Sequence, residues 1–388
     1  MKSQGEITES FHQALPLWNY TFPFGDWVQA VSVNKDGSAI VAGTRYSHVQ
    51  YFNRTGTVLW RQNGITDTQI ILRILQQNLD TPHGISGIAV SADDNYTGIV
   101  TARGQNAYYD RNGTSVWGTD WSTIRSQGRN VAISDDGRYF IAGVGYRHNN
   151  VIFYDLQHLT QYFNRGSECH DTWHYTTYNS IGSSGLNDPS SGPNDPTGVH
   201  VAISSDGQYI VAVSEDSRVY YFDQSGKVLW NNITGNSLEN VAMSSDGHYI
   251  AAASQDYNVY FFNETGFRLW NYTTGDIVKS VAVNTDGQYL AAGSDDRNIY
   301  LLNRDGTLLW KYLTGAPVKT VAMSREGQTI VAGSADHTIY CFDQSGTLLW
   351  KYTTGNMVNS VAVSGDGNYV AAGSNDGNVY FFNREGSP

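Results

Sequence analysis

The sequence predicts an all-β protein in which eight small, similar sheets close into one ring. Three observations support this prediction. A unit of about 40 residues repeats along the chain, tight turns divide each unit into four short apolar runs, and the composition is poor in charge but rich in glycine and aromatic residues. A repeat of that length with four strands is typical of one blade of a β-propeller.

The composition favours short strands joined by turns over long helices. Of 388 residues, 40 are Gly, 26 are Tyr and 10 are Trp, whereas only 15% are Asp, Glu, Lys or Arg. Surface helices need charged side chains on their outer faces, so this chain has too few for many of them. The net charge of −12 makes nucleic acid an unfavourable partner. No apolar run reaches the roughly 18 residues that a membrane span needs.

The C-terminal half contains near copies of one unit. Tryptophans and acidic-Gly turns recur there every 40 residues, at Trp230, Trp270, Trp310 and Trp350 and at Asp206, Asp246, Asp286, Glu326 and Asp366. The unit from Ile277 to Gly315 contains four apolar runs separated by the turns TDG, DDRN and RDG. Glycine supplies the positive φ that such hairpin turns need, so each unit is predicted to be a four-stranded antiparallel sheet.

The same unit can be followed to the N-terminus, which gives eight blades in one domain spanning residues 15–386. The first fourth-strand pattern, LPLWNYTF, precedes every blade, and the last unit ends at FFNREGSP without one. We therefore expect residues 15–22 to complete the last blade and close the ring. The expected blades are 28–62, 85–119, 129–177, 199–234, 239–274, 278–314, 318–354, and 358–384 with 15–22; the insertions are 63–84, 156–171 and 178–197.

The repeats resemble two known families. The segment SVAVSGDGNYVAAGSNDGNVYFF, from Ser360 to Phe382, resembles WD-repeat propellers, and Gly266–Trp270 resembles the fourth strand of quinoprotein-like (PQQ-type) propellers. In the second family, a Gly four residues before a Trp marks a docking motif in which the indole packs between neighbouring blades. Six blades keep this spacing: Gly56/Trp60, Gly113/Trp117, Gly226/Trp230, Gly266/Trp270, Gly306/Trp310 and Gly346/Trp350.

The resemblance covers nearly the whole chain and implies the fold. It also implies that the eight fourth-strand tryptophans are structural: Trp18, Trp60, Trp117, Trp173, Trp230, Trp270, Trp310 and Trp350. The sequence departs from both families, because it lacks the Trp-Asp dipeptide of WD repeats and the adjacent Cys pair expected of a quinone-binding dehydrogenase. No cofactor is therefore expected.

The turns between second and third strands suggest a binding patch on the upper face, as we call the face that carries them. Five blades place an Asp there, which is ordinary turn chemistry, with a cation-binding ring as the alternative. Aromatic and basic residues replace it in the first three blades: Tyr46 and His48, Arg103, and Tyr146, Arg147 and His148. Such a patch suits an acidic or carbohydrate-like ligand or an acidic protein surface; sequence drift is the alternative.

A second candidate site is the mouth of the central channel. The residue two before the central Val or Ile of each first strand varies among the blades, as Gln29, Ser86, Arg129, Val199, Glu239, Lys279, Lys319 and Asn359. Arg129, Lys279 and Lys319 would present cations to a ligand seated in the mouth. The alternative is ordinary solvation of a wet channel.

The insertions carry further patterns. Residues 63–84 include TDTQIILRILQQNLDTP, which predicts a helix that rests on the propeller or serves as a lid or docking helix. Residues 178–197 predict a Gly/Ser/Pro-rich loop, and 156–171 should lie on the lower face. Cys169, His170 and His174 are suitable metal ligands, but the spacings of structural zinc sites are missing, so no metal site is expected.

Sequons favour an extracellular or cell-surface glycoprotein, although a chain rich in Asn and Thr also forms them by chance. They occur at Asn19, Asn53, Asn95, Asn112, Asn232, Asn263 and Asn271. Two cysteines in the whole chain exclude a disulfide-rich scaffold.

The sequence predicts a non-enzymatic binding scaffold, with a protein or glycan partner on the loop face of blades 1–4. No GxSxG, P-loop or HExxH motif is present, yet distant blades of a propeller can contribute to one catalytic group. A quinoprotein-like oxidoreductase therefore stays open as an alternative. A structural surface protein that self-assembles into a homo-oligomer is the other.

Overall fold

The part of the chain that the structure describes forms eight four-stranded antiparallel sheets, as the sequence predicted. The computed structural model describes residues 13–63, 84–102, 105–118, 127–145, 150–155, 173–176 and 199–386. Within these residues, the regular structure is 32 strands and one short 3-10 turn, Pro23–Gly25. Residues 64–83, 156–172 and 177–198, which hold nearly all of the three predicted insertions, lie outside the described residues.

Each blade runs from an inner first strand to an outer fourth strand, and in blades 1 to 7 the four strands are consecutive in the chain. Blades 1 to 4 comprise β2 (Val28–Val33), β3 (Ala39–Thr44), β4 (His48–Asn53), β5 (Val58–Asn63); β6 (Ile85–Val90), β7 (Tyr96–Thr101), β8 (Asn106–Asp110), β9 (Ser115–Gly118); β10 (Gln127–Ile133), β11 (Tyr139–Gly145), β12 (Asn150–Asp155), β13 (Trp173–Thr176); and β14 (His200–Ile203), β15 (Tyr209–Ser214), β16 (Arg218–Asp223), β17 (Val228–Ile233). Blades 5 to 7 comprise β18 (Leu238–Met243), β19 (Tyr249–Ser254), β20 (Asn258–Asn263), β21 (Arg268–Thr273); β22 (Val278–Val283), β23 (Tyr289–Ser294), β24 (Asn298–Asn303), β25 (Leu308–Leu313); and β26 (Val318–Met323), β27 (Thr329–Ser334), β28 (Thr338–Asp343), β29 (Leu348–Thr353). Blade 8 comprises β30 (Val358–Val363), β31 (Tyr369–Ser374), β32 (Asn378–Asn383) and the N-terminal β1 (Trp18–Thr21).

The N-terminal strand supplies the fourth strand of the last blade, which confirms the predicted closure. β1 pairs antiparallel with β32, so that Trp18 lies opposite Phe381 and Thr21 opposite Asn378. The inner strands β2 and β30 also contact each other. The exposed edge that a three-stranded last blade would present is therefore covered.

The apolar core lies between adjacent blades. One cluster joins Ala251 and Phe261 of blade 5 to Val278, Val281 and Leu302 of blade 6, and similar clusters occupy other blade boundaries. Because both faces of each middle strand are covered, these strands are continuous apolar runs rather than alternating patterns. Their many Ala and Gly residues leave room for the large side chains of the neighbouring blade.

The fourth-strand tryptophans dock on a glycine of the next blade. Trp270 packs against Gly306, where a Cβ would lie 2.8 Å from the indole Cγ. Gly306 has a φ of +80°, and the indole N–H donates to the Arg304 carbonyl at 2.7 Å. The same packing pairs Trp18 with Gly56, Trp60 with Gly113, Trp230 with Gly266, Trp310 with Gly346 and Trp350 with Gly386. The side chains of Trp117 and Trp173 lie outside the described residues.

Main-chain hydrogen bonds join the lower ends of successive blades, next to the central channel. Ser245 N donates to Thr285 O at 3.0 Å, Thr285 N to Arg325 O at 2.8 Å, and Arg325 N to Gly365 O at 3.1 Å. Asp366 N continues the series to Lys35 O of blade 1 at 3.0 Å. The ring therefore closes through polar backbone contacts as well as through apolar packing.

Candidate functional site

The upper face of blade 1 differs from the repeated frame in how its turn is anchored. The carboxylate of Asp26, in the link before β2, is fully buried. It accepts a hydrogen bond from the Tyr46 N–H at 3.0 Å and lies 2.7 Å from Nδ1 of His48. These contacts fix the turn between β3 and β4 on the link that enters the same blade.

In blades 5 to 8, an Asp within the turn provides this anchor. Asp296 of blade 6 accepts hydrogen bonds from Tyr300 Oη at 2.5 Å, Asn298 N at 2.8 Å and Gly275 N at 2.7 Å. Burial opposes ionisation of this carboxyl, but the hydrogen bonds outweigh it and lower its pKa. The turn aspartates are thus held by their own blades, as the turn-chemistry interpretation predicted.

Because Asp26 supplies the carboxylate in blade 1, the turn position itself is open to another side chain. Tyr46 occupies that position and is 55% exposed. Trp27, the neighbour of Asp26, is 39% exposed, and the Arg45 guanidinium lies 4.6 Å from the centre of its ring. We call Trp27, Arg45, Tyr46 and His48 the blade-1 patch. It combines two exposed aromatic rings, a cation stacked on one of them, and an imidazole.

Part of the predicted binding patch can be placed, and part cannot. Tyr46 and His48 lie together on the upper face of blade 1, held through the same carboxylate. Arg103, Tyr146, Arg147 and His148 lie outside the described residues.

Sequence reasoning missed Trp27 and Arg45. The repeat contained a signal for Trp27, since an aromatic residue there departs from the near-copy blades, which have none at this position. The position is occupied there by Ser237, Ile277, Pro317 and Met357.

β-Bulges build the channel mouth. In the described residues, seven first strands skip one residue in pairing with their second strands. A bulge redirects the side chain of its extra residue. The extra residues are Gln29, Ser86, Arg129, Glu239, Lys279, Lys319 and Asn359, which are seven of the eight variable positions identified in the sequence.

Lys279 and Lys319, which the sequence placed at the mouth, are paired with carboxylates. Lys279 lies 3.0 Å from Glu239 and 3.8 Å from Asp295, and Lys319 lies 3.1 Å from Asp295. Two lysines and two carboxylates cancel in charge, so this group adds no net positive charge to the mouth. Sequence reasoning missed Asp295, which reaches the mouth from the upper end of β23. Arg129 stands at its own bulge in blade 3.

Blade 4 interrupts this ring. β14 pairs with β15 without a register shift, and Val199, the eighth variable position, is fully buried rather than directed into the mouth. His200 follows it, and its Nδ1 is buried with no hydrogen-bond partner in the structure as described. Burial and the nearby charge of Arg129 lower the pKa of His200 to about 4, so its imidazole is neutral at physiological pH.

An ion pair crosses the lower end of the channel. Arg325 Nη2 of blade 7 lies 2.6 Å from Asp135 Oδ1 of blade 3, and these blades are opposite each other in a ring of eight. A Cβ on Gly365 would lie 3.1 Å from the Arg325 side chain, so this glycine leaves room for it. Asp135 and Arg325 also line a cavity of about 200 Å³, to which seven blades contribute residues.

Comparison with known proteins agrees with this architecture. A family model described as outer membrane protein assembly factor BamB matches residues 173–328, and one described as the lambda-carrageenase beta-propeller domain matches residues 322–388. This chain is a β-propeller, and its repeats are similar to those of WD-repeat and quinoprotein-like propellers. No curated protein matches its sequence.

Solved structures similar to this propeller show the same fold at low sequence identity. One is Sqt1 of Chaetomium thermophilum, described as bound to the N-terminus of ribosomal protein L10, with 15% identity and a TM-score of 0.71 over 94% of this chain and 98% of that one. Another is the C-terminal WD40 domain of Sif2, with 14% identity and a TM-score of 0.72 over 96% and 99% of the two chains.

Two further predictions depend on residues that the structure only partly covers. Cys169 and His170 lie outside the described residues, as does the side chain of His174. Among the side chains that are described, no three His, Cys, Asp or Glu residues are grouped to hold a metal ion. The described part of the propeller also contains no helix long and apolar enough to cross a membrane.

Several sequon asparagines have a structural role in the propeller. Asn53 and Asn263 accept backbone hydrogen bonds in the turn before the fourth strand, from Thr57 N at 2.9 Å and Phe267 N at 3.0 Å. Asp343 fills the same turn position in blade 7 and accepts the same bond from Thr347 N. Turn formation therefore explains the choice of Asn at these two sequons.

Proposed function

We propose that this propeller is a non-enzymatic binding scaffold that holds a protein partner on its upper face, at the blade-1 patch and the divergent blades beside it. The observation that carries the proposal is the exposure of Trp27 and Tyr46 on a turn and a link that Asp26 fastens together. Large aromatic side chains held in fixed positions are the usual centres of binding energy in protein interfaces.

The chemistry of the patch favours an acidic or hydrogen-bonding peptide. The guanidinium of Arg45 remains able to bind a carboxylate while its face stacks on Trp27. Tyr46 offers a hydroxyl and a flat ring at little cost in side-chain entropy. Because the Asp26 contacts already order the turn, binding would need little further ordering.

The comparisons support a peptide partner. The similar propeller Sqt1 is described as bound to the N-terminus of another protein. A glycan is the second candidate, because exposed indole and phenol rings also stack on sugars and because the last blades match a propeller domain of lambda-carrageenase.

An extracellular or cell-surface location belongs to the same proposal. It is supported by the sequons at Asn19, Asn95 and Asn112, whose side chains are exposed.

The experiment is capture of partners on an array of peptides and glycans, comparing the wild-type protein with the double variant Trp27→Ala/Tyr46→Ala. We expect capture to be lost, while the free energy of unfolding changes by less than about 1 kcal/mol because both side chains lie at the surface, away from the packed blade boundaries. Tyr257→Ala is the matched control. Tyr257 is an aromatic residue on the corresponding turn of blade 5, opposite blade 1, and its exposure of 45% lies between those of Trp27 and Tyr46.

Capture should be unchanged in the control variant. Equal capture by the wild type and the double variant would contradict the blade-1 patch as the binding surface. Loss of capture in the Tyr257 variant as well would show that exposed aromatic residues bind without regard to position.

A further inference from the structure

The residues that precede β1 occupy a groove on the outer edge of blade 7. Gln13 forms a parallel bridge with Lys351 of β29. Ala14 N donates to Lys351 O at 3.2 Å, and Leu15 N donates to Gly386 O at 2.9 Å. The chain thus adds a short extended segment to an edge strand of one blade before it enters the next.

This segment covers the docking pair of blades 7 and 8. Ala14 is fully buried and packs with Trp350 and Gly386; a Cβ on Gly386 would lie 3.1 Å from the Ala14 Cβ and 2.6 Å from the indole. As a result, Trp350 is only 1% exposed, and Leu349 beside it is half-buried. We call the site formed by Trp350 and Gly386, in which Ala14 lies, the Trp–Gly seat. The seat is narrow, so it accepts only a small side chain at the position of Ala14.

The same seat exists on blades 5 and 6, where no described residue occupies it. Trp270 docks on Gly306 and Trp310 on Gly346 with the geometry that Trp350 has on Gly386. In the described residues, no strand lies outside β21 or β25. The leucines that correspond to Leu349 are consequently more exposed, Leu269 at 37% and Leu309 at 45%.

Blade 4 has the same framework, but its seat is blocked. The carbonyl of Gly266 corresponds to the Gly386 carbonyl that accepts from Leu15. The Asn232 side chain already donates to it at 2.7 Å. Blades 5, 6 and 7 carry tyrosine at the Asn232 position, as Tyr272, Tyr312 and Tyr352. An added segment needs two carbonyl acceptors, one on the fourth strand and one on the docking glycine. In blade 4 the glycine carbonyl already accepts a hydrogen bond from Asn232.

We propose that the outer edges of blades 5 and 6 bind an extended peptide segment of a partner protein, with alanine or another small residue at the Trp–Gly seat and leucine beside it. The chemistry is that of the chain's own residues 13–17, Gln-Ala-Leu-Pro-Leu. Backbone hydrogen bonds to an exposed strand edge would hold the segment, and the small-residue seat would select it. The exposed Leu269 and Leu309 would be covered as Leu349 is in blade 7.

The experiment is an NMR titration of the full chain with the acetylated and amidated peptide Gln-Ala-Leu-Pro-Leu, followed at the tryptophan indole N–H signals. We expect saturable shifts of the Trp270 and Trp310 signals, since the peptide would pack on these rings. A peptide with Arg in place of the alanine should bind at least about tenfold more weakly, because it does not fit the seat.

Protein variants separate this surface from others. Leu269→Arg/Leu309→Arg should weaken binding at least about tenfold, whereas the matched variant Leu229→Arg on blade 4 should leave it unchanged. Binding that the double variant does not affect would overturn the proposal, since the peptide would then be replacing residues 13–17 on blade 7. Absence of any shift would also overturn it. So would dimerisation that the double variant abolishes, because it would assign these edges to a second copy of the chain.

Discussion

His200 replaces an asparagine that ties neighbouring blades together. In blade 3, Asn130 Oδ1 accepts the Val201 N–H at 2.8 Å, and in blade 5, Asn240 Oδ1 accepts the Val281 N–H at 3.1 Å. His200 stands at the same place in blade 4, where its buried Nδ1 has no such partner in the described structure. A buried polar atom without a partner reduces stability.

The substitution His200→Asn should therefore stabilise the protein and reduce its sensitivity to acid. Restoring the hydrogen bond should raise the free energy of unfolding by about 1 kcal/mol at pH 7.5. The folded state disfavours the protonated ring, because its pKa is about 4 against the ordinary value of 6.5. The contribution of His200 is therefore complete above pH 6.5 and is lost as the pH falls towards 4.

Urea unfolding at pH 7.5 and at pH 4.5 would measure both effects. The loss of stability between these two pH values should be smaller in the variant than in the wild type. An identical loss in both proteins would show that His200 is not buried in its neutral form.

Glycine at the docking position is required both by backbone conformation and by the approach of the indole. Gly346 has a φ of +89°, and a Cβ there would lie 2.7 Å from Trp310 Cγ. Gly25 has a φ of +65°, but a Cβ there would meet no atom within 4 Å. Replacing either by Ala costs about 1 kcal/mol from the positive φ alone.

Gly346→Ala should lower the free energy of unfolding by about 1–3 kcal/mol more than Gly25→Ala, because only the first displaces a packed ring. Denaturant unfolding of the two variants measures the difference. Equal losses would mean that Trp310 does not press on Gly346.

At the residue scale, the sequence predicted repeated positions better than unique ones. The tryptophan and glycine of the docking motif recur at a fixed spacing, so the repeat itself indicated their partnership. Trp27 and Arg45 each occur once and become neighbours only when a link and a turn fold together. Lys279 looked available in the sequence because its partners, Glu239 and Asp295, lie on other strands of the ring.

At the element scale, fourth-strand indoles fasten six of the blade boundaries in the described residues. Trp270 stacks on Phe261 of its own blade at a centroid distance of 4.9 Å and covers Gly306 of the next. Substitution by Ala removes both contacts and leaves a cavity at the boundary. We expect Trp270→Ala to lower the free energy of unfolding by about 3–5 kcal/mol.

Trp27→Ala is the matched control for this prediction, because it removes the same side chain from an exposed site on the upper face. Its effect should stay below about 1 kcal/mol. Calorimetry or denaturant unfolding serves for both variants. Similar losses in the two would contradict the placement of Trp270 between blades.

The strands themselves were predictable because alternating turns and apolar runs repeat with little change. The bulges in these strands, and the directions of the side chains there, were less predictable. A bulge in the first strand adds one residue without changing the apolar pattern, so the variable positions could be identified but not where their side chains point. In blade 4, the missing bulge moves Val199 into the core.

At the scale of the whole molecule, the ring brings together residues that are far apart in the chain. Arg325 and Asp135 form their ion pair across the channel although 190 positions separate them. The closing pair, Thr21 and Asn378, is separated by 357 positions and is joined by a side-chain hydrogen bond of 2.5 Å. Ring closure was predictable from the unpaired fourth-strand pattern at the N-terminus, whereas contacts across the axis depend on side-chain lengths that the repeat does not specify.

The two faces of the ring serve different purposes. Main-chain hydrogen bonds and the Arg325–Asp135 pair hold the lower end of the channel together. The upper face carries the blade-1 patch and the mouth, where the repeated pattern is broken. Partner binding at the blade-1 patch is therefore proposed at a place where the repeated frame tolerates variation.

A disulfide placed at the closure tests the ring most directly. The variant Thr21→Cys/Asn378→Cys, made in a Cys169→Ser background, places two thiols on directly opposite residues of β1 and β32. Opposite residues of antiparallel strands lie about 4.5–5.5 Å apart, within the range of a disulfide. We predict that the bond forms on mild oxidation and raises the melting temperature, whereas Asn19→Cys/Asn378→Cys, which is out of register, forms none. Failure of the first pair to cross-link, or equal cross-linking by both, would contradict closure of the ring by the N-terminal strand.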